Sequence, residues 1–165
     1  MNNLYLKDLD LELKIFLSIF LLAIALGIGT GLIYVYYTTN MSISGTEERF
    51  NGSVVINDTE IPEEFPKPFE NLVLTTHDHI ISFSIISLLI GVIFYFNSII
   101  AGKLKSFLMI EPFISTLITF SSIWIMRYIY SPFSVIIILS AIIMYICWYF
   151  MILTCIYELL FKKSW

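Results

Sequence analysis

The chain has 165 residues, about one domain's worth, and carries a net charge of −4. Its residues are 58% hydrophobic, 16% aromatic and only 13% charged, whereas soluble domains carry about 25% charged residues. This composition excludes a disordered tail and an ordinary cytosolic enzyme. With no basic run able to follow a phosphate backbone, it also excludes a nucleic-acid binder, and it points to an integral membrane protein.

Four apolar stretches reach the ~20 residues that a bilayer core needs. They run from about Ile15 to Tyr37, His79 to Ala101, Pro112 to Tyr130 and Phe133 to Phe161. The predicted fold class is all-α, a four-helix transmembrane bundle forming one membrane domain over residues 1–165. β-barrel strands would be shorter and would alternate in polarity. The first apolar run continues past Gly31 with no A-x-A site, so it reads as an uncleaved span.

Lys7, Lys14, Lys103, Lys105, Lys162 and Lys163 fall on one side of these spans; Arg49, Lys67 and Arg127 fall on the other. The positive-inside rule then places both termini and the loop at 102–110 in the cytoplasm. Segment 38–76 becomes an outward loop, acidic and proline-rich, too short to build its own core. It is expected to lie across the bundle mouth, with one short helix near 46–51. Asn51-Gly52-Ser53 and Asn57-Asp58-Thr59 match glycosylation sequons, which carry no meaning in a bacterial protein. The Ser131-Pro132 turn is short enough to make spans three and four a tight antiparallel hairpin.

Helical periodicity assigns the packing faces. In span one, Ala23, Gly27 and Gly31 share one face, and Ser18, Ala25 and Gly29 a nearly opposite one. Small residues at this spacing let helices approach closely, so neighbours on two sides are expected. In span two, His77, Ser84, Gly91 and Ser98 recur every seven residues and read as an inward stripe. Glu111, Ser115 and Ser122 form the inward face of span three. Ser140, Met144, Cys147, Met151, Cys155 and Glu158 form that of span four. Cys147 and Cys155 sit about 12 Å apart along a helix, too far for a disulfide.

Three constellations could carry chemistry. Thr75-Thr76-His77-Asp78-His79 opens span two and contains both histidines of the chain. Imidazole suits haem and transition metals, so His77, His79 and Asp78 are candidate metal ligands. His77 and His79 could share one metal only if His77 precedes the helix in extended chain, because residues i and i+2 point about 200° apart on a helix. The competing reading is a capping box from Thr75 to Asp78. Near the outer end of span three, Arg127 could pair an anion such as a haem propionate, or simply snorkel to the interface. Met126 could complete a His/Met haem site. At the inner face, Glu111 before Pro112 reads as an N-cap with proline at the first helical position. Glu158 pairs with Lys162 by spacing.

The Thr76-His77-Asp78-His79 opening of span two, the Trp124 to Tyr128 close of span three and Tyr157-Glu158 resemble a group of small, uncharacterised bacterial four-helix membrane proteins. The resemblance implies the four-helix architecture and an outer site. It also implies a histidine after the glycine midway down span two, where this chain has Val92 after Gly91.

The leading functional expectation is an accessory subunit of a redox or respiratory assembly in a bacterial cytoplasmic membrane, not an enzyme on its own. It would hold haem b or a transition metal through His77, His79, Met126 and Arg127. The alternatives are a structural subunit without cofactor, and a small membrane enzyme or carrier using His77 and Asp78. The expected partners are the lipid bilayer and other membrane subunits or a second copy.

Overall fold

The computed structural model describes residues 4–54 and 61–162. The second sequon, Lys163 and Trp165 therefore lie outside the described residues. The described chain is all-helical. Helix α1 spans Leu11–Thr39, α2 Ile43–Asn51, α3 Phe69–Tyr95, α4 Gly102–Tyr128 and α5 Ser134–Phe161. Single 3-10 turns at Leu6–Asp8 and Ser131–Phe133 precede α1 and α5. Helices α1, α3, α4 and α5 are long and apolar enough to cross a membrane. The protein is a four-helix transmembrane bundle.

Local chemistry sets the helix ends. Asp10 caps α1 by accepting the Leu13 N–H at 2.8 Å. The helix stops where Asn40 turns left-handed at φ 50°. Ser42 caps α2 through the Gly45 N–H at 3.0 Å. Pro68 stands immediately before α3 and Gly102 opens α4 at φ 66°.

Two helices start about ten residues before the apolar stretches that announce them. Hydropathy marks where a helix enters apolar surroundings, whereas the backbone is already helical through its polar first turns. Three corrections follow. The Thr75–Asp78 capping box does not form, because these residues lie inside α3. The loop expected at 102–110 is helix, and the real connection is 96–101. Glu111-Pro112 is not an N-terminus but the interior of α4. Proline there removes one N–H, so the Leu108 carbonyl loses its helical partner. Membrane helices tolerate such a gap where neighbours shield it.

Helix α5 is the hub, packing on α1, α3 and α4. Its buried stripe is the expected one, from Ser140 through Met144, Cys147, Met151 and Cys155 to Glu158. The α4 stripe of Glu111, Ser115 and Ser122 is likewise buried. In α3 the stripe is different: Leu72, Ser87, Ile90, Gly91 and Phe94 face the core, and His77 is exposed. A strict seven-residue repeat drifts by about 20° per heptad on a straight helix, so two heptads carry His77 about 40° off the Gly91 line.

Polar bonds help tie the long helices together. Trp148 Nε1 donates to Ser87 Oγ at 3.0 Å, and Trp124 Nε1 to Thr76 Oγ1 at 3.0 Å. Thr119 and Ser140 share a hydroxyl bond of 2.7 Å. Tyr149 donates to the Ala25 carbonyl at 3.1 Å. Such bonds average about 0.6 kcal/mol in membrane proteins, so they orient helices while packing supplies most of the stability.

Helix α1 departs from expectation. It has one long neighbour, α5, rather than two. Leu21 and Ile28 are buried on that side, and the Tyr149 hydroxyl approaches Gly29. Phe16, Ile19, Ala23, Leu26, Gly27 and Thr30 lie exposed on the opposite side.

Candidate functional site

Both histidines lie on regular α3 helix, the condition under which they cannot share a metal. His79 leans toward α4. Its ring packs against Phe83 and Phe120 at centroid distances of 5.3 and 5.5 Å. Its Nδ1 sits 2.8 Å from the Thr75 carbonyl, which accepts when that nitrogen carries the proton. His77 points the other way, into a shallow surface groove with Phe69, Glu70, Val73 and Leu74. Its ring makes no hydrogen bond among the described residues. Asp78, the next residue, is turned about 100° from His77 and is also exposed. Among the described residues no three His, Cys, Asp or Glu side chains converge as a metal site.

Met126 is buried in an apolar cluster with Leu72, Phe120, Ile123 and Ile137. Arg127 stacks its guanidinium over Tyr128 at 5.4 Å, and its buried Nε has no hydrogen-bond partner among the described residues. The structure thus brings His79 and Met126 to the rim and interior of one apolar cluster. It leaves His77, Asp78 and Arg127 as separate surface features.

Helix α2 and the described residues that follow it cap this end of the bundle. Glu47 of α2 accepts from the fully buried Ser134 hydroxyl at 2.7 Å, placing an acid at the start of α5. Arg49 donates to the Tyr34 hydroxyl at 2.9 Å and lies 3.7 Å from Glu64. Ser53 and Glu64 clasp the segment through a backbone bond of 2.9 Å. Burial and the like charge of Arg49 lower the pKa of the Lys67 ammonium below its ordinary value.

The opposite end holds a denser polar site that the sequence showed only in part. Glu158 is fully buried. It accepts the Ser98 N–H at 2.7 Å and the Lys7 N–H at 3.4 Å. Lys162 does not pair with Glu158 as its spacing suggested; it donates to Ser98 Oγ at 3.0 Å. Asn97, also buried, accepts the Ile99 and Ile100 N–H groups at 3.0 and 2.7 Å. Lys105 donates to the Asn97 carbonyl at 2.9 Å, and Leu6 donates its N–H to Phe96 at 3.0 Å. One carboxylate and one amide thereby gather the N-terminal segment, the α3–α4 connection and the end of α5. The Asn97-Ser98 pair between two apolar runs was the available signal, an Asx turn rather than a catalytic motif.

The third polar group lies inside the membrane span. Glu111 is buried at 8% exposure. Its Oε1 accepts from the Ser115 hydroxyl. Its Oε2 has no partner. Cys147 of α5 interacts with the same carboxyl. One turn farther, Thr116 reaches Met144 Sδ at 3.3 Å.

No curated protein and no solved structure matches the chain. A family model does: the transmembrane helical domain Aq_1264_TM matches residues 40–164. This stretch takes in α2 to α5 and leaves α1 outside. Four spanning helices built on α5 and a match over three-quarters of the chain together identify the protein as a member of this transmembrane helical domain family.

Proposed function

We propose that the protein is a small, non-catalytic subunit of a membrane assembly, and that α1 is the helix that docks on its partner. The observation that carries this reading is Gly27. A Cβ built there would meet nothing within 4 Å, so this chain's own packing does not need a glycine at that position. Glycine costs helix stability relative to alanine, about 1 kcal/mol in soluble hosts. A partner backbone crossing at Ala23 and Gly27 would give the missing side chain a use. That the family match leaves α1 outside supports the same reading, since α2 to α5 form the common unit. The lysine-rich end, which holds Lys7, Lys14, Lys103, Lys105 and Lys162, is taken as cytoplasmic by the positive-inside rule. This orientation fits a bacterial inner membrane.

The test is native mass spectrometry of gently solubilised, tagged protein beside Gly27→Trp and Leu139→Trp. Leu139 is an exposed α5 residue. A stoichiometric companion of different mass, lost with Gly27→Trp and kept with Leu139→Trp, supports the subunit reading. A lone chain, a second copy alone, or a companion indifferent to Gly27→Trp overturns it.

A finer reading makes the assembly a redox or respiratory one, with haem b or a transition metal at His77 and Arg127 pairing an anionic group. Its support is the exposed, unbonded His77 ring and the unpartnered Arg127 Nε. One histidine from this chain would need a second ligand from the partner. A visible spectrum with metal analysis, run beside His77→Ala, decides it. A Soret band or stoichiometric metal lost in the variant supports the cofactor. A colourless, metal-free complex removes it. The enzyme or carrier reading with His77 and Asp78 gains no support, because no hydrogen bond joins the two among the described residues.

A further inference from the structure

We propose that Glu111 is a proton-binding site inside the membrane, its carboxyl held as the neutral acid at the α4–α5 seam. Acceptors outnumber donors around this carboxyl. Glu111 Oε2 is buried and without a partner. The Leu108 carbonyl, one turn back, lacks an N–H because Pro112 has none to give. Donors around the carboxyl are few. Ser115 donates to Oε1, Cys147 offers a thiol, and the Thr116 hydroxyl is already committed to the Pro112 carbonyl at 2.7 Å.

No cation among the described residues pairs with this carboxyl. The ion pair found among the described residues is Arg49–Glu64, at the far end of the bundle. The elements around Glu111 present few ionisable groups. The buried residues of α3 are Leu72, Ser87, Ile90, Gly91 and Phe94. None of these residues titrates. From α5 the facing group is Cys147; Cys155 and Glu158 follow two and three turns farther along that helix. On α4 itself the other buried side chains are apolar or hydroxyl-bearing.

An unpaired carboxylate in hydrocarbon is costly, and acidic residues within spans are retained where they bind or move something. A proton taken up from hydronium converts the carboxylate to the acid and leaves water behind. It supplies the donor that the site lacks, at Oε2. The site stands on α4 and α5 alone and does not depend on the docking role of α1.

Infrared difference spectroscopy of the full-length protein in lipid vesicles, titrated from acid to alkaline pH, tests the assignment. The expected result is the carbonyl stretch of a protonated carboxylic acid at neutral pH, removed by E111Q and unchanged in a Glu12→Gln control. Excess sodium should leave it in place. Dicyclohexylcarbodiimide, which adds across the acid O–H without a leaving group, should then give one adduct per chain at Glu111, formed more slowly as pH rises. A carboxylate band at neutral pH overturns the proposal, as does an acid band that survives in E111Q. A band that sodium abolishes overturns it too, in favour of a cation site. Because glutamine keeps the shape and removes the charge, E111Q should fold; its circular dichroism and gel-filtration profile check this.

Discussion

Removing the charge of Glu158 should loosen the lysine-rich end of the bundle. The Ser98 N–H bond at 2.7 Å is short and charge-assisted, a class worth about 1.5–3 kcal/mol. The Lys7 N–H bond at 3.4 Å is long and adds little. Glu158→Gln keeps one oxygen for Ser98 but makes that bond neutral and turns an amide NH₂ toward the Lys7 N–H. The expected loss is about 2 kcal/mol. Glu158→Ala also leaves two donors unpaired around a cavity and should cost about 3–5 kcal/mol. Hydrogen exchange in detergent micelles reads the effect locally. About 2 kcal/mol corresponds to roughly 30-fold faster exchange at Ser98, Ile99 and Ile100. The control is Glu12→Gln at an exposed position of α1, expected within about 0.5 kcal/mol of wild type. Wild-type exchange at Ser98 in Glu158→Gln would refute the view that this carboxylate organises the three segments.

Other substitutions test separate parts of the fold. Ser87→Ala strands the buried Trp148 Nε1–H and should cost about 1–3 kcal/mol in detergent unfolding; a cost below about 0.5 kcal/mol would mean that water replaces the bond. Gly45→Ala drives a Cβ onto the Thr39 carbonyl and should undock α2. Faster tryptic cleavage at Arg49 is the readout, and unchanged cleavage would show that the turn yields at no cost. His79→Ala removes contacts with Phe83 and Phe120 and should lower stability by about 1–2 kcal/mol, whereas His77→Ala should stay within about 0.5 kcal/mol. Equal costs at the two positions would contradict their opposite orientations.

The bundle was legible because lipid leaves the backbone few options, and because the α4 and α5 stripes follow a helical period closely. Glu111, Ser115, Cys147 and Glu158 all lie where that period places them. The helix starts were not legible. Hydropathy reports the solvent around a helix, and the polar turns from Phe69 to Asp78 and from Gly102 to Glu111 hide the true beginnings. Both capping assignments failed for that one reason. The inward stripe of α3 was misplaced because a seven-residue repeat was followed where the helix turns every 3.6 residues. Two features were beyond reading at this level. The single long neighbour of α1 is a tertiary outcome that its small residues permit but do not dictate. The Glu158 site depends on backbone N–H groups, which no side-chain motif announces.

Photo-crosslinking in intact membranes reads directly whether α1 docks on another membrane protein. A photoreactive amino acid would replace Ala23 on the bare face of α1 and, separately, Leu139 on α5; both positions are exposed. Docking through α1 should give one discrete protein adduct of fixed mass from position 23 and lipid adducts alone from position 139. Lipid adducts alone from both positions would contradict it.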